Sequence, residues 1–272
     1  MNDGILNSGY TPPPLPRPLL GRPAPVTLPR GTALDPSAAA YLAAVEIADG
    51  QSLEAGVAAA INLFVIGCKN DGIWNAIKAS CVLAGARTLE GALVPLVGPA
   101  PTNFNFVSGD YNRRTGLAGN GTTKYLSTNR NNNADPQNSK HLSAFVSTIG
   151  AGFGNSLLAV GNATGRSMVL TSGQMTINRN SFFTASAPVA PSFVGAARAD
   201  SSSVTVRTNS VSTTSSSGPS ETPSNENLNV FRRPGADFSN HRIAYYSIGE
   251  SLNLALLGAR VTALINSLGA AI

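Results

Sequence analysis

Charged residues are scarce in this 272-residue sequence. Asp, Glu, Lys and Arg together make up 12% of it, well below the roughly 25% that is usual in soluble domains. The formal net charge of +5 therefore reflects a shortage of acidic residues and not a dense basic patch. Lys and Arg occur singly or in the pairs Arg113-Arg114 and Arg232-Arg233, without the clustered basic stripe of a nucleic-acid-binding surface. We expect no nucleic-acid partner and a surface that is partly buried against other proteins.

Cysteine and histidine are equally rare. Cys68 and Cys81 are too few and too far apart for a disulfide framework, a metal cage or a redox pair, which predicts buried free thiols in a reducing compartment. His141 and His241 have no second His or Cys at metal-ligand spacing. We therefore predict that the protein is not an enzyme, with no catalytic residue, no cofactor and no metal ligand.

Long apolar runs are missing as well. Glu54 and Asn62 interrupt one candidate stretch and three prolines between residues 95 and 101 interrupt another, so neither gives the roughly 20 clean residues of a spanning helix. The N-terminus opens with Asn2 and Asp3 and soon reaches prolines, unlike the basic and then apolar start of a signal peptide. We expect neither membrane insertion nor secretion.

What the sequence does contain is an extended, proline-rich segment over residues 1–34. Its prolines remove N–H donors and hold the preceding residues extended, which excludes a helix or a central strand. One interpretation is a disordered linker. We favour an anchoring arm, because Leu and Val recur between the prolines where a linker would carry Ser, Gly or charge. The candidate partner-binding residues are Leu15, Arg17, Leu19, Leu20, Val26 and Leu28.

Residues 35–100 have the pattern of a helical lead-in segment. Asp35-Pro36 is typical of an N-cap followed by proline at the first helical position, which predicts a helix over Ser37–Ala48. Apolar residues at helical spacing predict a second helix from Ser52 to Gly67 and a third over Ile73–Ala84.

The pattern of residue types changes to that of β-strands over residues 101–272. Short runs rich in Val, Phe, Thr and Ser alternate with Gly, Asn and Pro, which predicts a many-stranded antiparallel domain. A continuous apolar stripe from Leu252 to Leu268 predicts a closing C-terminal helix that packs on this domain. The predicted strands are Phe104–Val107, Thr123–Leu126, Leu142–Val146, Leu157–Val160, Ser167–Leu170, Gln174–Asn178, Phe193–Ala197, Val204–Thr208, Asn227–Phe231 and Arg242–Ser247.

Two polar loops are candidate binding sites. Asn129–Asn138 is rich in asparagine, and Val211–Ser224 is rich in Ser and Thr, forming either a polar hairpin or a mobile tip. The candidate glycan-facing residues of the first loop are Asn131, Asn132, Asn133 and Asp135. A calcium site at the same loop, with Asp135 as a ligand, is an alternative.

Three separated segments add a resemblance. Residues Phe64–Lys78, Thr115–Leu126 and Arg242–Leu252 resemble, in the same order, a domain found in bacteriophage virion structural proteins of the tail-fibre, baseplate or capsid-decoration type. That domain is similar to the concanavalin A-like or laminin G-like jelly roll. The resemblance implies a two-sheet antiparallel sandwich with flanking helices, and it implies a place on the virion after assembly in the host cytoplasm. It brings no catalytic residues.

Three functions follow as hypotheses. The first is a virion structural protein, expected to be a homo-oligomer, whose arm anchors it to capsid, collar or tail subunits and whose lectin-like sandwich is displayed outside. The second is a lectin that binds host-surface glycan through the two polar loops. The third, a sugar-cleaving enzyme, needs two carboxyl groups within about 5 to 10 Å of each other across a groove.

Overall fold

A computed structural model describes residues 33–151, 156–161, 164–216, 218–235 and 237–272. Leu34–Ile272 form one compact unit. The candidate arm residues Leu15, Arg17, Leu19, Leu20, Val26 and Leu28 lie outside the described residues, so the anchoring arm stays a prediction.

Two helices begin this unit, as predicted. Helix α1 spans Pro36–Asp49 and begins where the Asp35 carboxylate accepts the N–H of Ser37 at 2.8 Å. It ends at Gly50, whose positive φ of 70° favours glycine. Helix α2 spans Ala55–Asn70. The start of α1 therefore follows from the Asp-Pro pair that predicts it.

Two further helices follow. Helix α3 is a single turn, Leu89–Ala92, capped by the Thr88 hydroxyl. Helix α4 spans Leu254–Ala271 and is capped by the Asn253 side chain. By length and composition α4 is the one helix among the described residues that could cross a membrane. In this fold its apolar stripe is buried against α2 and the neighbouring sheet, so the predicted packing of the C-terminal helix is confirmed.

The described residues of this unit also form eighteen strands. In chain order they are β1 Ile77–Val82, β2 Pro95–Val97, β3 Thr102–Phe104, β4 Tyr111–Asn112, β5 Gly116–Ala118, β6 Tyr125–Asn131, β7 Lys140–Thr148, β8 Ser156–Ala159, β9 Met168–Leu170, β10 Gln174–Thr176, β11 Phe183–Thr184, β12 Ser192–Arg198, β13 Ser203–Thr208, β14 Val211–Ser216, β15 Asn227–Val230, β16 Arg232–Arg233, β17 Asp237–Phe238 and β18 Arg242–Gly249. Each of the ten predicted strands overlaps one of these.

The strands form two antiparallel sheets that face each other. Sheet A has the order β14-β13-β12-β7-β18-β1-β2, with β5 attached to β18 and β4 to β5, and sheet B has the order β11-β10-β9-β8-β15-β6-β3. Strands β16 and β17 form a separate pair. One apolar core lies between the sheets and a second lies between sheet A and the helices. The predicted fold class, an antiparallel β-sandwich with flanking helices, is confirmed.

One predicted helix is wrong. The segment Ile73–Ala84 contains a short 3₁₀ turn, Trp74–Ala76, followed by strand β1. Strand β1 lies inside sheet A between β18 and β2, and nearly all its side chains are buried. A strand covered on both faces lacks the alternation of polar and apolar residues, so its short apolar run cannot be told from a helix by periodicity. Sheet A therefore begins well before residue 101.

Strand β18 joins parts of the chain that are far apart in sequence. It pairs with β1 through Tyr245 to Gly249 and with β5 through Arg242 and Ile243. Residues separated by more than a hundred positions in sequence therefore lie side by side in sheet A.

Candidate ligand-binding surface

The Asn-rich loop and the last part of the Ser/Thr-rich segment lie together at one end of the sandwich. The first part of that segment, Val211–Ser216, is strand β14 of a polar hairpin with β13. Asn131, at the end of β6, is opposite Asn227 at the start of β15, and the N–H of Asn132 donates to the Glu226 carbonyl oxygen at 2.8 Å. We use the name amide platform for the side chains that meet there. They are Asn131, Asn133, Gln137, Asn138, Ser220 and Asn225.

Three asparagines form one half of the amide platform. The Nδ2 groups of Asn131 and Asn133 both donate to Asn225 Oδ1, at 2.8 and 3.3 Å. The backbone N–H of Asn133 donates in turn to Asn131 Oδ1 at 3.1 Å. Asn133 Oδ1 and Asn225 Nδ2 make no hydrogen bond to the residues that the structure describes. An acceptor and a donor are thus held at fixed positions on an exposed surface.

The other half joins the loops through a hydroxyl. Gln137 Nε2 donates to the Ser220 hydroxyl at 2.8 Å and to the Ser220 carbonyl oxygen at 3.1 Å. The same hydroxyl donates to Asn138 Oδ1 at 2.6 Å. Each loop therefore holds the other in place through these hydrogen bonds.

Buried charges support the platform from below. The Asp135 carboxylate accepts hydrogen bonds from the Arg130 guanidinium and lies 3.4 Å from Lys140 Nζ. Lys140 is fully buried, and its Nζ donates to the Asn132 carbonyl oxygen at 2.6 Å. Burial lowers the pKa of Lys140 to about 8, although the Asp135 charge acts in the opposite direction.

This arrangement separates the four candidate loop residues. Asn131 and Asn133 lie on the surface, whereas Asn132 and Asp135 are buried. Asn132 Nδ2 donates to the Gly165 carbonyl oxygen at 2.9 Å and so ties the loop to the turn before β9. Contact with glycan therefore stays a prediction for the half-buried Asn131 and the exposed Asn133, and the two buried residues hold the loop in shape.

The calcium alternative requires Asp135 to ligate a cation. Its carboxylate is already paired with Arg130 and Lys140, two positive charges that a cation would have to displace. Among the described residues no group of three or more His, Cys, Asp or Glu is placed to hold a metal ion.

A second surface feature lies at the opposite end of β6. The Phe104 and Tyr125 rings are opposite each other on β3 and β6 and stack with centroids 4.2 Å apart. The Arg232 guanidinium lies 4.5 Å from the Tyr125 ring centre and 5.2 Å from that of Phe238. Phe104 is 37% exposed, so the cluster is partly open to solvent. β6 has seven residues, which places the cluster about 20 Å from the amide platform.

Sequence patterns do not identify this aromatic cluster or the role of Asn225. The rings come from three strands that are far apart in sequence, and only the pairing of β3 with β6 brings Phe104 to Tyr125. Asn225 follows the predicted Ser/Thr-rich loop by one residue. The one signal for Asn225 in the sequence is compositional, because Asn recurs at the ends of both polar loops.

The two histidines are buried among polar partners. His141 Nδ1 donates to the Glu250 carbonyl oxygen at 2.6 Å, and its Nε2 accepts from Ser247 Oγ at 3.0 Å. His241 Nδ1 accepts the N–H of Gly150 at 3.1 Å. Burial lowers the pKa of each imidazole to about 4, so both are neutral at pH 7 and hold strands together.

The cysteines match their prediction. Cys68 and Cys81 are free and buried, and burial raises the pKa of each thiol to about 12. Neither is a nucleophile at neutral pH, because the reactive form is the thiolate.

Comparisons with known proteins give only distant similarities. No protein family and no curated protein sequence matches this chain. Domain 4 of an extracellular arabinanase from Geobacillus stearothermophilus is similar over 60% of this chain and 82% of its own, with 11% identity and a TM-score of 0.42. A Trypanosoma rangeli sialidase is similar over 77% of this chain and 39% of its own, with 11% identity and a TM-score of 0.43.

A bacteriophage tailspike is among the similar structures. Tailspike protein 2 of bacteriophage CBA120 is similar over 57% of this chain and 28% of its own, with 13% identity and a TM-score of 0.36. All three TM-scores lie below 0.5, so these similarities assign neither a ligand nor an activity to this chain.

Proposed function

We propose that this protein is a structural component of a bacteriophage virion whose β-sandwich is displayed at the particle surface and binds host glycan through the amide platform. The role is a non-catalytic one. The N-terminal arm would attach the sandwich to capsid, collar or tail subunits.

The observation that carries the glycan-binding role is the rigid set of amides. Sugar hydroxyls both donate and accept hydrogen bonds, and an amide side chain offers a donor and an acceptor side by side. Asn133 and Asn225 present one of each, held by their mutual hydrogen bonds. A site held in place before the ligand arrives loses less conformational entropy on binding.

The virion role is supported by the way in which the resembling segments are arranged. Gly249 of β18 lies opposite Ile77 of the first segment, and Arg242 and Ile243 lie opposite Ala118 and Leu117 of the second, so part of each segment comes together in sheet A. The low charge of the chain suits a protein that is buried against neighbours in an assembly.

Glycan binding can be tested with two variants and a matched control. The probes are purified lipopolysaccharides from several bacteria and neutral oligosaccharides, with biolayer interferometry as the readout. We expect Asn225→Ala to weaken binding at least tenfold. Asn225→Asp keeps the acceptor for Asn131 and Asn133 but removes the free Nδ2 donor, so it should weaken binding as well.

Asn266→Ala is the control, because Asn266 is also an exposed asparagine but lies on α4 beside Phe193 and Arg207, and it should leave binding unchanged. Equal binding by Asn225→Ala and Asn266→Ala, or no binding of any probe by the wild-type chain, would contradict the glycan-binding role.

The attachment role has a separate test. A chain without residues 1–34 should be lost from purified particles while its glycan binding persists. Retention of the shortened chain on particles would contradict an anchoring arm and leave the glycan-binding role intact.

A further inference from the structure

Strand β14 forms an open edge of sheet A. It has six residues, pairs with β13 along its whole length, and has no strand on its other side among the described residues. Five of its six side chains are exposed, including Val211 at 63%. It therefore presents a row of unpaired backbone groups to solvent.

The hairpin turn shows which backbone groups face outward. Asn209 and Ser210 both have positive φ, 50° and 63°, as in the two-residue turns that close tight hairpins. In such a turn the N–H of Val211 points back to Thr208. Because the pattern alternates along an antiparallel ladder, the N–H groups of Ser212, Thr214 and Ser216 point away from β13.

The other sheet edges are short or contain proline. β2 has three residues and begins with Pro95, β3 has three residues, and β11 has two. Proteins usually protect an edge strand with charge, proline, a bulge or short length. β14 contains no charged residue and no proline, and its register with β13 runs without a shift. An unprotected edge of this length indicates that another strand covers it in the assembled state.

We propose that β14 pairs with β14 of a second copy, antiparallel and about a two-fold axis, so that sheet A continues from one subunit into the next. A neutral Ser and Thr strand suits itself as a partner, since no like charges oppose each other and hydroxyl pairs across strands are favourable. The interface is distinct from the amide platform and goes beyond the glycan-binding role.

The geometry restricts the register. Residues opposite each other in an antiparallel pair have their side chains on the same face of the sheet. The two-fold axis must therefore pass between one residue and the same residue of the second copy. The central positions of β14 are Thr213 and Thr214. In either register the outward N–H of Thr214 donates to the partner strand.

Crosslinking tests the contact. We expect either Thr213→Cys or Thr214→Cys in the full chain to form a disulfide-linked dimer on mild oxidation, because opposite Cα atoms about 4.5–5.5 Å apart lie within disulfide range. The buried native thiols do not compete. Thr262→Cys, on the exposed face of α4, is the control and should stay monomeric on a non-reducing gel.

A second test removes the outward donor alone. Thr214→Pro deletes the N–H that faces the partner, whereas Thr214→Val keeps this N–H and removes only the side-chain hydroxyl that bonds Thr205 at 2.7 Å. By analytical ultracentrifugation we expect Thr214→Val to dimerise like the wild type and Thr214→Pro to dimerise at least tenfold more weakly. Circular dichroism checks that both variants fold.

Thr213→Lys places like charges at the interface and serves if Thr214→Pro does not fold; it should likewise dimerise at least tenfold more weakly than the wild type. A wild-type chain that stays monomeric at high concentration, a trimer, or equal dimerisation by all the variants would overturn the proposal. None of these outcomes bears on glycan binding at the amide platform.

Discussion

Lys140 and Asp135 lie side by side inside the sandwich, with Lys140 Nζ 3.4 Å from the Asp135 carboxylate and 2.6 Å from the Asn132 carbonyl oxygen. The pair lies directly beneath the amide platform. Its charges therefore determine whether the loop above keeps its shape.

Removing one partner should destabilise the protein more than removing both. Asp135→Asn removes the negative charge that partners the buried Lys140, which we expect to cost about 3 kcal/mol of unfolding free energy. The double variant Asp135→Asn with Lys140→Met leaves no buried lysine charge and should recover part of that loss. Urea unfolding of the three proteins measures both effects, and a double variant less stable than Asp135→Asn would contradict the coupling.

The buried histidines should make the fold sensitive to mild acid. His141 has a native pKa of about 4 and an unfolded pKa of about 6.5, so below pH 6.5 the unfolded chain binds a proton that the native protein does not. The stabilising contribution is therefore complete above pH 6.5 and is lost as the pH falls toward 4. For His141 alone the loss at pH 5 is about 2 kcal/mol.

The histidine effect is checked by urea unfolding at pH 7 and pH 5. His141→Gln keeps a neutral polar side chain that does not titrate in this range, so its stability should fall less between the two pH values than that of the wild type. Identical losses in both proteins would show that other groups cause the acid sensitivity.

Two helical glycines should respond oppositely to alanine. At Gly91 a Cβ atom would lie 2.1 Å from the Asp49 carboxylate, which accepts the N–H groups of Arg87 and Thr88 and so joins α1 to α3. Gly91→Ala should lower the melting temperature. At Gly269 a Cβ atom meets nothing within 4 Å, so Gly269→Ala should stabilise α4 by about 0.5–1 kcal/mol. Thermal melts compare the two variants, and equal shifts would contradict the prediction.

The thiols should be unreactive until the protein unfolds. Cys68 and Cys81 are buried, and their pKa values are raised to about 12. A maleimide reagent at pH 7.5 should label neither thiol in the native protein and both in denaturant, as read by mass spectrometry. Rapid labelling of Cys68 in the native protein would show that the helical layer opens easily, and rapid labelling of Cys81 would show the same of the core between the sheets.

The sequence predicts those helices and strands whose signals, such as a cap or an alternation of buried and exposed residues, lie within the element itself. Asp35-Pro36 identifies the start of α1, and strands with one buried face, such as β13, show the alternation that predicts them. Strand β1 is missed because both its faces are buried, which leaves no alternation. The amide platform is only half predicted, since nothing local relates Asn133 to Asn225 until β6 pairs with β15.

Strand β18 has a consequence for how the chain is made. It pairs with β7 on one side and with β1 on the other. Both strands precede it by more than ninety residues in sequence. Until β18 has been translated, neither neighbour can pair with it, and the apolar faces of both neighbours remain uncovered. A nascent chain halted before residue 242 should therefore stay open to proteases and chaperones. Translation of β18 is the step after which sheet A can close.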